Sequence, residues 1–399
     1  MTEKNFEQLG LNDEILDYIE NAGFKEPSEI QEKVIPLALK GKDVLAGSAT
    51  GSGKTLAFSL PIIQTLKHEK SIQALVLTPT RELAEQITNA MKNFSNSKKL
   101  RITSVYGGVD IHNQTRKLPY TDIVVGTPGR IIDHIERGNL NLEKIKTLVL
   151  DEVDRMLDMG FYRDVEKIIK KCPKERQTLF FSATIDYDIE EISKRYSNNA
   201  VKVLIKSYVD HSKLKHVYYD TPGNLKFSLL VHLLKKENSQ KVMVFCGTRH
   251  NSDYIATNLN SVGIKAKAIH GGFSQNQRTK TLEDFHANKI NVLVCTDVAA
   301  RGLDIKEVSH VYNYDLPKTA SEYIHRVGRT ARAGKNGIAV NILSSRDYES
   351  FSKINEDKSL KIERVELPYF EKIRASFSPR ERQGSGNFGR KNREGSGRG

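Results

Sequence analysis

The sequence predicts an α/β fold of two domains in tandem, each a mostly parallel sheet with helices on both faces. Short apolar runs rich in β-branched residues recur along the 399 residues, and amphipathic stretches of helical length separate them. Such runs are typical of parallel strands that are buried on both faces. The length suffices for two such domains and a tail.

The predicted elements divide the chain into two halves of similar organisation. A short helix over residues 12–21 precedes the first strand, and a polar stretch near residues 205–215 without strong periodicity separates the halves. We therefore predict a first domain over residues 1–206 and a second domain over residues 213–366. The strands are predicted at residues 43–46, 74–77, 123–125, 147–150, 178–181, 241–245, 266–269, 291–294, 310–314 and 337–343.

Residues 367–399 are predicted to form a disordered tail rich in Arg, Gly and Ser. Residues 379–399 hold six Gly and six Lys or Arg with a single aromatic residue, Phe388, a composition that cannot bury a core. Residues 371–399 carry eight Lys or Arg against three Glu. The tail is therefore expected to be strongly basic.

The composition favours a cytoplasmic protein with a polyanionic partner. The formal net charge of +13 indicates a polyanion without identifying it. Cys172, Cys246 and Cys295 lack metal-ligand spacing and are interpreted as reduced thiols. The sequence has neither a signal-peptide core at its N-terminus nor an apolar run of ~18 residues, so we expect a soluble monomer without membrane contact.

A glycine-rich segment between the first strand and a helical pattern has the composition of a phosphate-binding P-loop. Its glycines let backbone N–H groups point at phosphate. Lys54 would reach the β- and γ-phosphate oxygens, and Thr55 would be a ligand of Mg²⁺. The alternative is a glycine-rich turn without a function. The predicted phosphate-binding residues are Thr50, Gly51, Ser52, Gly53, Lys54 and Thr55.

An acidic pair follows the strand at residues 147–150, about a hundred residues after the P-loop. Asp151 would hold Mg²⁺ beside Thr55, and Glu152 would orient or deprotonate the attacking water. The alternative is that the two acidic side chains are merely solvated at the end of the strand. The P-loop upstream favours the catalytic interpretation. The sequence therefore predicts a nucleotide hydrolase.

Further motifs follow in a fixed order along the chain. In the first half they are Phe6, Gly23-Phe24, Pro27, Gln31, the P-loop, Pro79-Thr-Arg-Glu-Leu83, Gly107-Gly108, Thr127-Pro-Gly-Arg130, Asp151-Glu-Val-Asp154 and Ser182-Ala-Thr184. In the second half they are Gln275-Asn-Gln-Arg278, residues 296–304 and residues 325–332. Over roughly residues 5–345 the chain resembles the DEAD-box ATP-dependent RNA helicases, with Val153 where that family has Ala. The resemblance implies two RecA-like domains.

The resemblance also implies that the nucleotide is ATP. The side-chain amide of Gln31 can accept a hydrogen bond from adenine N6 and donate one to N7. Phe6 is similar to the family's aromatic residue that packs on the base, and the alternative is an ordinary core residue. Gly302 and Asp304 are expected to contact the nucleotide from the second half.

Several residues are expected to couple the two halves. The resemblance implies that Ser182 and Thr184 hydrogen-bond Asp154, whereas the alternative is a pair of helix caps. It also implies that His325 acts near Glu152 and its water.

Arginines of the second half complete the predicted catalytic set. Arg329 and Arg332 lie three residues apart, hence on one face if the segment is helical. Because the second half has no P-loop of its own, we interpret them as arginine fingers that stabilise transition-state charge across the cleft. The alternative is a solvated basic face.

The predicted RNA-binding residues mostly follow strands, and they are hydroxyls, glycines and cations that bind phosphate without reading bases. They are Pro79, Thr80, Arg81, Gly108, Thr127, Gly129, Arg130, Thr248, Arg249, Gly272, Gln275, Arg278, Thr296 and Asp297. The preference for RNA over DNA follows from the resemblance, and 2′-hydroxyl contacts would explain it. We expect sequence-tolerant binding of single strands and short duplexes.

The function expected from these motifs is an RNA-dependent ATPase that opens short duplexes locally or remodels RNA–protein complexes. The resemblance implies that closure of the two domains around ATP and RNA bends one strand and forces out its partner. The alternatives are an ATP-locked clamp with little unwinding and a DNA translocase.

Overall fold

The computed structural model describes residues 5–48, 51–95, 98–205, 214–236, 241–300, 305, 308–330, 336–357 and 360–375. Four predicted site residues lie outside the described residues, namely Thr50, Gly302, Asp304 and Arg332. The same holds for residues 376–399 of the predicted tail.

Two parallel sheets of seven strands each form the centre of the molecule, which confirms the predicted α/β class. The first sheet contains β1 (Val44–Gly47), β2 (Ala74–Leu77), β3 (Ile102–Val105), β4 (Ile123–Gly126), β5 (Thr147–Asp151), β6 (Gln177–Ser182) and β7 (Val201–Leu204). The second contains β8 (Leu214–Asp220), β9 (Val242–Phe245), β10 (Ala266–Ile269), β11 (Val292–Cys295), β12 (His310–Asn313), β13 (Gly337–Leu343) and β14 (Ile362–Arg364).

Helices connect most of the strands. In the first half they are α1 (Asp13–Asn21), α2 (Glu29–Leu39), α3 (Lys54–Thr65), α4 (Arg81–Ser95), α5 (Ile111–Thr115), α6 (Pro128–Glu136), α7 (Val153–Asp158), α8 (Tyr162–Lys171) and α9 (Tyr187–Tyr196). In the second half they are α10 (Lys226–Lys236), α11 (Arg249–Ser261), α12 (Gln275–His286), α13 (Asp297–Ala300), α14 (Ala320–Val327) and α15 (Tyr348–Asn355). Within the described ranges, no helix has the length and apolarity to cross a bilayer.

The two sheets have the same strand order. The first runs β3-β4-β2-β5-β6-β1-β7 and the second β10-β11-β9-β12-β13-β8-β14, which is the same order when each sheet is numbered from its own first strand. In parallel sheets of this kind, ligands bind at the carboxyl ends of the strands. Equivalent loops of the two domains are therefore placed to form equivalent halves of one site.

All ten predicted strands are present, but β3, β7, β8 and β14 were not predicted. Three of them lie at sheet edges, where a strand needs no continuous apolar run. In β7, for example, three of four residues are exposed, among them Val201 and Lys202. The apolar pattern therefore missed strands with a solvated face such as β7, and it missed β3 because polar Thr103 and Ser104 interrupt its apolar residues.

Each sheet is covered by apolar side chains on both faces. Val44 and Ala46 of β1 belong to one core cluster of the first domain, whereas Leu45 between them belongs to the other. This alternation follows from the geometry of a strand, in which successive side chains point to opposite faces.

The second domain extends past its predicted end at residue 366. The ring of Phe370 lies 6.0 Å from that of His232, and the backbone N–H of Ile373 donates to Ser228 Oγ at 3.0 Å. Both side chains pack against the apolar core of the domain. The basic composition of the tail gave no sign of these two apolar residues. Among the described residues, the packed part of the second domain extends to Ile373 and not only to residue 366.

Candidate nucleotide and nucleic-acid site

The P-loop lies between β1 and α3, as predicted. Gly51 and Gly53 have φ of +83° and +95°, conformations that favour glycine. Lys54 begins α3 and is buried, and its Nζ donates to the Ser48 carbonyl at 3.0 Å. Ser48 Oγ lies 3.0 Å from Ser52 Oγ. The loop is thus a turn held closed by its own lysine at a helix N-terminus, the geometry that binds phosphate.

Gln31 supports the P-loop from α2. Its Nε2 donates to the Gly53 carbonyl at 3.1 Å, and its Oε1 accepts from the Ser28 backbone N–H at 2.9 Å. A Cβ atom at position 53 would lie 2.5 Å from this Nε2, so a larger residue would displace the amide of Gln31, and the φ of +95° also favours glycine. Each end of the amide keeps a second hydrogen-bonding position, so the predicted contact of Gln31 with adenine is compatible with these two bonds.

Phe6 lies in the apolar core of the first domain and is only 3% exposed. It also lines a cleft of about 680 Å³ together with Gly23, Phe24 and Lys25. This burial agrees with the alternative interpretation, in which Phe6 is an ordinary core residue and does not contact a base. Packing of Phe6 on a base stays a prediction, because the ring is almost fully covered by protein in this structure.

Asp151 and Glu152 end β5 beside the P-loop. Asp151 is buried, and burial raises its pKa to about 7, opposed by the charge of Lys54 and reinforced by that of Glu152. The raised pKa means that the positive charge of Lys54 does not offset the burial of the Asp151 carboxylate. A divalent cation would supply the missing positive charge.

The surroundings of Asp151 fit Mg²⁺ held mainly by nucleotide oxygens. In the described residues no group of three or more His, Cys, Asp or Glu side chains is arranged around a common metal position. Mg²⁺ is commonly bound through one or two protein oxygens plus phosphate and water. Thr55, on the first turn of α3, and Asp151 are the residues that would hold it.

Asp154 is the centre of a hydrogen-bond network, as predicted. Its Oδ2 accepts from the backbone N–H groups of Ala183 and Thr184 at 3.0 and 3.1 Å, and from Thr184 Oγ1 at 3.4 Å. Ser182 Oγ instead accepts from the backbone N–H of Asp154 at 3.3 Å. The Ser182 contact is therefore to the backbone and not to the carboxylate.

The same carboxylate faces the second domain. His325 Nε2, on α14, lies 3.7 Å from Asp154 Oδ2, an electrostatic contact too long for a full hydrogen bond. Burial raises the pKa of Asp154, but the interactions with His325, Lys54 and the Thr184 backbone outweigh it and hold the pKa well below its usual range. Asp154 thus links the end of β6 to the second domain.

A second contact across the cleft joins α4 and α12. Arg278 Nη2 lies 2.7 Å from Glu82 Oε1, and both side chains are nearly buried. The angle lies outside hydrogen-bond geometry, so the contact is an ion pair. Arg278 was predicted to bind RNA, but the structure engages it with the other domain and with the Ala299 carbonyl.

Asp297 was also predicted to bind RNA, and the structure uses it within the second domain. Its two oxygens accept from Arg326 Nε and Nη2, both at 2.6 Å. Arg326 Nη1 further donates to Asn313 Oδ1 at 2.9 Å and to the Asp315 carbonyl at 2.6 Å. This bidentate pair holds α14 against α13, so Arg326 supports the fold. Arg329, one turn further, is buried at the cleft.

The two domains present matching arginine–glycine contacts at the carboxyl ends of equivalent strands. Arg81 follows β2 and packs on Gly108, where a Cβ atom would lie 1.9 Å from its Nη1. Arg249 follows β9, and its Nη2 lies 3.3 Å from the Cβ position of Gly271. Guanidinium groups beside glycine backbones are able to bind phosphate without a base contact.

The remaining predicted RNA-binding residues lie at the same edges. Arg130 Nη1 donates to the Val109 carbonyl at 3.3 Å, beside the glycine pair of the first domain. Thr127 and Thr248 precede α6 and α11 as N-caps. Gly129 and Gly272 are exposed, Gln275 is half-buried, and Pro79, Thr80 and Thr296 are buried.

Two residues at the cleft were not singled out from the sequence. Glu82 was only part of a motif, and its role depends on Arg278 in the other domain. Arg155 follows the acidic motif and donates to Glu152 Oε2 at 2.8 Å. Glu82 gave no local signal, since the fold brings its partner from the other domain. Arg155 lies three residues after Glu152, and this i,i+3 spacing was the local signal that could have identified it.

These features define a class of protein. Two parallel α/β domains of equal topology face each other, one with a P-loop and an acidic pair and the other with buried arginines. This is the architecture of a two-domain P-loop helicase.

Comparison with known proteins identifies the family. The DEAD/DEAH box helicase family matches residues 28–192, and the helicase conserved C-terminal domain matches residues 225–334. The DEAD-box ATP-dependent RNA helicase CshA of Geobacillus kaustophilus is 43% identical over 366 residues, which are 91% of this chain and 78% of that protein. The chain therefore belongs to the DEAD/DEAH box helicase family, in the class of ATP-dependent RNA helicases.

Solved structures of relatives show the same fold. S. cerevisiae Dbp5 bound to RNA and ADP-BeF3 is 32% identical, with a TM-score of 0.83 over 91% of this chain and 96% of that chain. A DEAD box protein from the hyperthermophile Methanococcus jannaschii is 42% identical, yet its TM-score is 0.55 over 90% of this chain and 99% of that chain. The structure of this chain therefore superposes more closely on that of the RNA-bound protein.

Proposed function

We propose that this protein is an RNA-dependent ATPase of the cytoplasm that separates short RNA duplexes locally by closing its two domains. The observation that carries the proposal is the contact between Asp154 and His325. Asp154 is held by the loop after β6 and contacts the second domain, so the state of the nucleotide site and the closure of the cleft depend on one another.

In the nucleotide half of the site, Lys54 would release the Ser48 carbonyl and bind the phosphates. Thr55 and Asp151 would hold Mg²⁺, which neutralises phosphate charge when bound. Glu152 would orient the attacking water. Arg329, delivered by the second domain, would stabilise the charge that develops in the transition state.

In the RNA half of the site, the glycine–arginine contacts of both domains would follow a single strand along its phosphates. Arg81 with Gly108 would serve the first domain, and Arg249 with Gly271 the second. Because these groups address the backbone, we expect tolerance of sequence. The closed cleft would bend the strand away from the A-form, and its partner would dissociate.

A strand-displacement assay tests this function. The substrate is a short RNA duplex with a single-stranded overhang, and the control is the same duplex in DNA. We expect ATP-dependent release from RNA and little from DNA, and no release by Glu152→Gln. Tight ATP-dependent binding without release would identify a clamp, and efficient release from DNA would overturn the RNA preference.

A further inference from the structure

Arg155 is a buried arginine that the proposed catalytic set does not use. It is 1% exposed, and its side chain is one of the largest fully buried side chains among the described residues. A buried guanidinium requires a paired charge. The partner is Glu152, whose Oε2 accepts from Arg155 Nη1 at 2.8 Å.

The backbone conformation of Glu152 makes its contact with Arg155 important for the position of the Glu152 side chain. Its φ of 54° and ψ of 53° lie in the left-handed region, which is unfavourable for a residue other than glycine. Such a conformation persists only where surrounding contacts hold it. The bond to Arg155 engages one carboxylate oxygen and fixes the direction of the side chain that would orient water.

The second domain covers Arg155. A small cavity of about 20 Å³, room for about one water, is lined by Arg155 together with residues of the second domain. These residues are Phe245, Asp297, Ala300, Glu322, His325, Arg326 and Arg329. Arg155 therefore faces the second domain across this cavity, so separation of the domains would open this side of the Glu152–Arg155 pair to water, and charges attract more strongly where water is excluded.

We propose that Arg155 is a positioning residue that orients Glu152 for water attack only while the second domain covers it. The inference rests on the proposed function, in which Glu152 orients the water. When the domains separate, Arg155 becomes hydrated and its hold on Glu152 weakens. Hydrolysis is then slow in the open protein even with nucleotide bound, so this pair ties turnover to closure.

Steady-state ATPase measurements at saturating RNA test the proposal. Arg155→Met should lower kcat by roughly 10²-fold, since misplacing one catalytic group costs about that much. The KM for ATP and the affinity for RNA should stay within about twofold. Arg155→Lys should recover part of kcat, because it keeps the charge but not the fork geometry.

A control separates positioning from folding. Arg176 is a half-buried arginine of the same domain that donates to the carbonyls of Pro173 and Tyr196, away from the cleft. Arg176→Met should lower the melting temperature without changing kcat of the folded enzyme. In a Glu152→Gln background, Arg155→Met should lower single-turnover hydrolysis no further.

Either of two results would overturn the proposal. One is an unchanged kcat in Arg155→Met, and the other is a further loss of the full 10²-fold in the Glu152→Gln background. An unaltered protein without RNA-stimulated hydrolysis would instead reject the proposed function itself.

Discussion

Glu82 and Arg278 meet across the cleft as an ion pair, with 2.7 Å between Oε1 and Nη2. Glu82 lies on the first turn of α4, which follows β2, and Arg278 lies on α12, which follows β10. The ion pair therefore exists only while the two domains are together. Because both side chains are nearly buried, breaking the pair leaves one charge unpaired, which is costly.

Removal of this pair should impair closure. Arg278→Met is expected to weaken RNA affinity in the presence of ATP by about tenfold, or 1.4 kcal/mol, with little effect on nucleotide binding to the open protein. Energy transfer between dyes on the two domains measures closure directly. The charge-swapped pair Glu82→Arg with Arg278→Glu should recover part of the signal, and equal closure in the single variant would contradict the prediction.

Catalysis should require both domains. Arg329→Ala is expected to lower RNA-stimulated turnover on the order of 10³-fold, while the affinity of the open form for ATP stays nearly unchanged. Arg346→Ala is the control, since this arginine is exposed, pairs with Asp315 and does not line the cavity that holds Arg329. If residues 1–206 alone hydrolysed ATP at the full RNA-stimulated rate, catalysis across the cleft would be excluded.

Gln31 should discriminate between bases. ATP is expected to outcompete GTP by at least roughly tenfold, about 1.4 kcal/mol from one bidentate contact. Gln31→Ala should narrow this ratio, and it should weaken both nucleotides because the Gly53 carbonyl loses its donor. Competition binding with both nucleotides measures the ratio, and equal affinities in the unaltered protein would refute the role in base recognition.

A buried ion pair in the second domain should make stability pH-dependent. Lys226 Nζ lies 2.9 Å from Asp347 Oδ2. Burial raises the pKa of Asp347, but the Lys226 charge and the Ser344 hydrogen bonds outweigh it and lower the pKa. A depressed folded pKa contributes stability above the unfolded value of ~3.9, and this stability is lost as the pH falls through the folded value.

Lys226→Met should therefore destabilise the domain by about 3–5 kcal/mol near pH 7, because the carboxylate of Asp347 stays buried without a counter-charge. The deficit should shrink toward pH 4, where protonation of Asp347 removes the unpaired charge. Denaturant unfolding at several pH values measures both effects. The double variant with Asp347→Asn should recover stability at pH 7, and a deficit independent of pH would contradict the pairing argument.

The basic C-terminal segment should contribute electrostatic affinity for RNA. Residues 376–399 carry six Lys or Arg, and each engaged cation adds about 0.7 to the salt slope on single strands. Truncation after Ala375 should lower that slope by up to about 4 with turnover at saturating RNA unchanged. Truncation at Leu367 is the less suitable variant, since it also removes Phe370 and Ile373 from the core. An unchanged slope would leave the segment a role in solubility alone.

The sequence by itself determined the features that are local. The buried strands were readable because a strand covered on both faces must be continuously apolar, as in residues 74–77. The P-loop and Asp151-Glu152 were readable because phosphate and metal chemistry demands those residue types directly after a strand. The edge strand β7 was not, because its solvated face carries no such requirement.

Only the tertiary structure decided which charged residue meets which. Arg278 and Asp297 were both predicted to bind RNA, and their neighbours in the fold, Glu82 and Arg326, engage them instead. No local pattern contains that information, since an arginine has the same sequence appearance whether it meets phosphate or a carboxylate. The free energy of a charge depends on its surroundings in space, and those surroundings are set when the two domains pack against each other.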